Sequence, residues 1–236
     1  MSEQDLVARW DNYLKKLSDR FYEVLNSAEE PFNEVINGLQ YDNIVIINAL
    51  NGLKDQTVVQ LQEKAGEGWD KMQAEIYKSG SLNLITQQGR KVEVFVNWMV
   101  SEFERYEIKL FAKAARKIFD NVQKHIDETK IRRCTQCAAD LPVSAYSFMA
   151  VNIKCDSCGS VNTYQPDDRV RALEYYVIEP LANEFALEEK IRGRTDKNMM
   201  KEYYRKFYGF LMEKVPDKKE FYERTMNERL TNPHFG

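Results

Sequence analysis

RKVEVFVNWMVSEFERYEIKLFAKAARKIFDNVQKHIDETK, residues 90–130, contains neither glycine nor proline. Val92, Val96, Met99, Phe103, Tyr106 and Leu110 alternate spacings of four and three. Ala114, Ile118, Val122 and Ile126 then continue at fours. Residues spaced in this way share one face of an α-helix, so the stretch predicts one helix of roughly 40 residues, about 60 Å long. A regular coiled coil keeps a strict heptad. The drift from heptad spacing to fours predicts a packing partner that changes along the helix.

The flanking sequence reads as helix too. Near the N-terminus, Ser2 and Asp5 have capping spacing, and Leu6, Trp10, Tyr13, Leu17 and Val24 follow on one face, widened by Leu14, Phe21 and Leu25. Pro31 is expected to interrupt this helix. A second helix is predicted over about 32–50 and a third over about 55–77, with Gly66 and Gly68 as weak points. Gly80 and Gly89 bracket an expected loop or short extended piece at 81–88. Toward the C-terminus, Pro166 suits a first helical position, with Asp167 and Asp168 beside the positive end of the helix dipole. Pro180 should kink or break that helix. Gly193 separates it from a helix over about 196–214, and Asp217 with Glu220 has capping-box spacing for a last short helix.

Residues 131–165 change character. They hold all four cysteines, and Tyr146, Phe148, Val151, Ile153 and Val161 sit among small polar residues in the manner of short strands. Cys134-Thr-Gln-Cys137 and Cys155-Asp-Ser-Cys158 are two C-x-x-C pairs separated by 17 residues. Two intervening residues let both sulfurs of a pair face one ion from a tight turn. The longer interval admits a hairpin that brings the second pair round to complete a tetrahedron. Gly159 follows the second pair and permits backbone angles that turn amides toward sulfur. The first pair has Ala138 in that place. This segment resembles the zinc-ribbon superfamily. The resemblance is confined to residues 131–165 and implies a metal-stabilised mini-fold with Cys134, Cys137, Cys155 and Cys158 as ligands of one Zn2+.

Four thiolates leave no open coordination position, which points to a structural rather than a catalytic metal. Iron in a rubredoxin-like site would use similar pairs, but the helical context and the missing first glycine weigh against it. A redox-switched dithiol would need a lowered thiol pKa, of which the sequence gives no sign. Arg132, Arg133 and Lys154 are placed to offset the negative charge of a four-thiolate centre, or are plain solvated surface.

The fold class expected is mainly α: a long-helix bundle or coiled-coil-like hairpin with a small inserted β zinc ribbon. Its parts are a helical segment 1–130, the ribbon 131–165, and C-terminal helices 166–236 packing on the first segment. The 236 residues carry a net charge of −3, with 43% hydrophobic and 30% charged residues, values of a folded chain. No apolar run approaches the length of a membrane span, and the first residues do not read as a secretory signal. Together with the paired cysteines this suggests a cytoplasmic chain.

Catalytic signals are sparse. The two histidines are His125, in the long helix and read as a surface residue, and His234 in the tail. No phosphate loop, dinucleotide fingerprint or serine triad stands out. Glu102, Glu104 and Glu107 read as a solvated stripe. Tyr203, Phe207, Phe210 and Leu211 read as a core face, although Lys201, Arg205 and Lys206 among these aromatics also suit single-stranded nucleic acid. Trp10, Trp69 and Trp98 read as packing residues.

The function expected is therefore non-catalytic: a protein-interaction or scaffold protein, with a protein partner or self-association, whose ribbon presents Tyr146, Phe148 and Met149. A nucleic-acid-associated accessory factor ranks second, because the charge lacks a basic bias. An enzyme whose site in the helical part carries no motif ranks third.

Overall fold

The computed structural model describes residues 2–129, 132–143 and 148–231. It consists of long helices with one two-stranded antiparallel sheet near the cysteines. The order is α1 (Glu3–Gly38), α2 (Ile44–Lys54), α3 (Gln60–Ser79), α4 (Asn83–Thr129), β1 (Val151–Lys154), β2 (Val161–Tyr164), α5 (Asp168–Leu173), α6 (Glu179–Phe185), α7 (Leu187–Gly193), α8 (Lys197–Lys214) and α9 (Lys219–Thr231). One compact unit comprises Met1–Val35 with Val45–Glu107. The other comprises Ile36–Ile44 with Ile108–Gly236.

The boundary between units crosses α4 at Glu107 and Ile108, close to the point where the apolar spacing changes to fours. Before it, Phe95, Met99 and Phe103 are buried; after it, Leu110, Ala114, Ile118, Val122 and Ile126 all are. The change in period thus marks a change in what the helix packs against.

In the first unit the capping expected at Ser2 is present: Asp5 N donates to Ser2 Oγ at 3.2 Å and Ser2 N to Asp5 Oδ2 at 3.1 Å. Trp10 Nε1 donates to the Gln88 carbonyl at 3.4 Å, Asp11 pairs with Lys91, and the Phe21 and Trp98 rings lie 5.4 Å apart. These contacts advance in the same direction along α1 and α4, so the two helices run parallel here. α3 runs the opposite way, with Tyr13 Oη donating to the Lys64 carbonyl at 2.8 Å and Arg9 paired with Glu75.

Several expected breaks are not breaks. α1 continues through Pro31, so no second helix begins at Phe32. Pro31 and Ser27, whose carbonyl it leaves without an amide, are both exposed, and water can satisfy that group. Phe32 and Ile36 are buried just beyond and hold the helix in place. Gly80 does end α3 in a left-handed conformation, φ 76°. However, α4 already starts at Asn83, so Gly89 lies inside a helix rather than beyond a loop. A Cβ there would sit 3.0 Å from Trp69 Cζ2, so Gly89 makes room for an indole.

In the second unit Pro166 lies outside the helix, and Asp167 is the cap: its Oδ1 accepts from the amides of Arg169 and Val170 at 3.0 and 3.1 Å. Before Pro180 the helix widens to a π turn at Glu174–Ile178, in which Glu179 N donates to the Glu174 carbonyl. The extra residue absorbs the proline that would clash in a regular helix. A second π turn, Asp55–Val59, lies in the first unit where buried Thr57 returns its hydroxyl to the Leu53 carbonyl.

Candidate metal centre

The four cysteines are brought together by two turns of matching design. In the first, Ala138 N donates to the Cys134 carbonyl at 3.0 Å, and Cys134 N to the Ala139 carbonyl at 2.8 Å. In the second, Gly159 N donates to the Cys155 carbonyl at 2.8 Å, and Cys155 N to the Ser160 carbonyl at 2.8 Å. Both turns need a left-handed residue directly after the second cysteine. Gly159 supplies it at φ 74°, and Ala138 adopts it at φ 59° despite its Cβ. The glycine absent from the first pair is therefore replaced in conformation though not in kind.

The sheet holds the second turn. β1 and β2 pair in the register Val151↔Tyr164 through Lys154↔Val161, which sets Cys155 and Cys158 in the loop of the hairpin. Cys134, Leu141, Val143, Cys155 and Tyr164 form a small buried core with Val151 and Ile153.

All four sulfurs lie within 4.8 Å of one another, a group that can hold a metal ion. Cys134 Sγ is 3.6 Å from Cys158 Sγ, and Cys137 Sγ is 3.7 Å from Cys155 Sγ. A disulfide would need about 2.05 Å. A tetrahedron with zinc–sulfur bonds of about 2.3 Å has edges of about 3.8 Å, so the donor set fits a tetrahedral thiophilic ion. Cys134 and Cys155 are buried, Cys137 and Cys158 exposed.

Two residues that the cysteine spacing did not single out complete the surroundings. Ser160 Oγ lies 3.2 Å from Cys134 Sγ and 3.0 Å from Cys158 Sγ. Asn162, buried, accepts from Thr135 N and Thr135 Oγ1, each at 2.9 Å, and its Nδ2 reaches Cys134 Sγ at 3.5 Å. Asn162 thus ties β2 to the first turn. The Ser160 hydroxyl, with the amides of Cys137 and Gln136, holds the Cys134 thiol down at about 5. Ser160, through hydroxyl and amide, also lowers Cys158. The Ala139 amide favours the Cys137 thiolate, but the Cys158 thiol, loss of solvent and the thiols of Cys155 and Cys134 together outweigh it and push it up to about 12. A dication among the sulfurs removes the cost of gathering negative charge.

Comparison of the chain with protein-family models, with curated proteins and with solved structures returns no match.

The other candidate residues fall elsewhere. Arg133 pairs with Asp140 at 3.7 Å and Arg132 donates to Gln123 Oε1 at 3.3 Å, while Lys154 is exposed. His125 is not a plain surface residue. Its Nε2 lies 2.7 Å from Asp167 Oδ2, Arg169 Nη1 approaches its Nδ1 at 3.0 Å, and Tyr41 stands edge-on at 6.2 Å. A proton on Nε2 lets it donate to the carboxylate while Nδ1 accepts from arginine. Tyr203 and Leu211 are buried, and Phe207 packs on the cluster of Ala186, Met200 and Tyr203. The bases beside them are engaged, Lys206 with Glu189 at 2.6 Å and Arg205 with Glu202 at 3.1 Å. Phe148 is buried beneath the Lys218 ammonium, 5.9 Å from its ring centre, and so presents no contact surface. Met149 is 51% exposed. Tyr146 and His234 lie outside the described residues.

No described helix is long and apolar enough to cross a membrane.

Proposed function

We propose that the protein is a non-catalytic interaction or scaffold protein in which Cys134, Cys137, Cys155 and Cys158 hold one structural Zn2+. The observation that carries this reading is the donor set: four sulfurs within 4.8 Å of one another, two pairs of them close to the edge length of a zinc tetrahedron, delivered by two matching turns. All four positions are then protein thiolates, which leaves no place for substrate at the metal. A core as small as this ribbon's gains little from burial, and metal binding supplies the missing stability. The ribbon also keeps apolar side chains in water, Met149 at 51% and Val161 at 68% exposure, as a docking surface requires.

Elemental analysis of reduced, purified protein tests the metal: one zinc per chain is expected, and iron or no metal overturns it. Affinity capture from native extract, comparing wild type with the Met149→Asp, Val161→Asp pair, tests the surface. Loss of a protein partner with unchanged zinc content and helicity supports the reading. Capture of nucleic acid instead, weakening steeply with salt, would transfer it to the nucleic-acid alternative.

A further inference from the structure

We infer that a groove between α1 and α4 in the first unit docks an acidic amphipathic helix of a partner protein. The inference deepens the interaction reading at a second surface, and the experiment below separates the two. The groove encloses about 450 Å3, with Leu14, Val94, Phe95 and Trp98 among its lining. Phe21, Tyr22 and Phe95 brace the Trp98 ring at 5.4, 5.6 and 5.7 Å, so the indole is a fixed floor rather than a mobile cover. Rigid aromatic anchors of this kind carry much of the energy of docking. Val94 is 61% exposed and Tyr22 44%, which extends the apolar strip past the concavity along about two turns of α1. That is the footprint of a helix laid in a groove.

Charge selects the occupant. The lining contains Lys15, Arg90 and Lys91 and no carboxylate, in a chain whose net charge is −3. Lys91 is engaged by Asp11. The Lys15 ammonium and the Arg90 guanidinium have no ion pair or side-chain hydrogen bond among the described residues. Two unpaired cations beside an exposed apolar strip complement a helix with Leu, Phe or Met at i and i+4 and Glu or Asp beside them.

The test is a displayed library of helical peptides selected on the full-length protein and counter-selected on the Lys15→Glu, Arg90→Glu, Val94→Asp variant. The winning sequences are expected to carry acidic residues flanking apolar i, i+4 pairs. The affinity of a synthetic winner should fall at least tenfold for Lys15→Glu with Arg90→Glu, and fall again as salt rises. The Met149→Asp, Val161→Asp protein should bind it unchanged. A pool without acidic enrichment, or winners indifferent to Lys15 and Arg90, overturns the inference. So does saturable binding of laurate, or a homodimer, that Val94→Asp abolishes, because either assigns the groove another occupant. Retention of the ribbon-dependent partner in that event leaves the interaction reading standing.

Discussion

Ala138 and Gly159 occupy equivalent places in two matching turns, and only glycine adopts that backbone without strain. A left-handed conformation costs an L-residue roughly 1–2 kcal/mol, partly offset by the unfolded-state freedom that glycine brings. Ala138→Gly should therefore raise ribbon stability, by up to about 1 kcal/mol in urea titrations. Gly159→Ala should lower it by about the same amount. A destabilising Ala138→Gly would mean that the turn is not limited by its backbone angle. Asp167 offers a pH test. Burial opposes its charge, but the bond from His125 and the amides of Val170 and Arg169 outweigh burial and hold the carboxyl below its ordinary value. A group depressed on folding contributes stability above its unfolded pKa, about 3.9, and loses it as pH falls through the folded value. The stability difference between wild type and Asp167→Asn should therefore be flat near neutrality and shrink below about pH 4. A constant difference down to pH 2 would exclude the linkage.

At the scale of elements, the paired glycines of α3 look alike in sequence and differ in space. Around Gly66 nothing lies within 4 Å of a would-be Cβ, whereas at Gly68 that atom would clash with Tyr13 Cε1. Gly66→Ala should stabilise by up to about 1 kcal/mol through helix propensity. Gly68→Ala should destabilise by about 1–3 kcal/mol, because the ring tied to the Lys64 carbonyl must move. Thermal melts of the two variants, shifting in opposite directions, would check both. The same contrast explains what the sequence made legible. The period of α4 and the two C-x-x-C pairs are local patterns whose physics is contained in the residues themselves. The breaks expected at Pro31 and Gly89 do not occur because their outcome depends on what stands opposite: solvent over Ser27, an indole beside Gly89. Pro180, expected to kink or break its helix, does not end it: helix continues from Asp168 to Phe185 with a π turn before the proline, an accommodation that depends on packing around it. Ser160 and Asn162 carry no motif, although an Asn at an inward position of a hairpin beside cysteines is a signal of a polar brace.

At the scale of the whole molecule, the ribbon and the helices draw on different sources of stability. The helices bury their own apolar faces, while the ribbon's core is a handful of side chains around the sulfurs. On the proposed zinc reading, treatment with a strong chelator should leave the helical circular dichroism largely intact. Protection of the turn amides of Cys134, Ala138, Cys155 and Gly159 should disappear in hydrogen exchange, and be restored by one equivalent of zinc. Collapse of the helical signal as well would show that the centre stabilises more than its own turns. The division of the chain also has a consequence for the order in which it is made. The first unit is made up of residues no later than Glu107, whereas the second joins Ile36–Ile44 to residues from Ile108 onward. At ribosomal rates the remaining chain takes on the order of ten seconds to emerge. During that interval the end of α1 and the residues up to Ile44 are on hand with the rest of their unit still unmade, so their apolar side chains Ile36 and Leu39 stay uncovered until the later chain arrives.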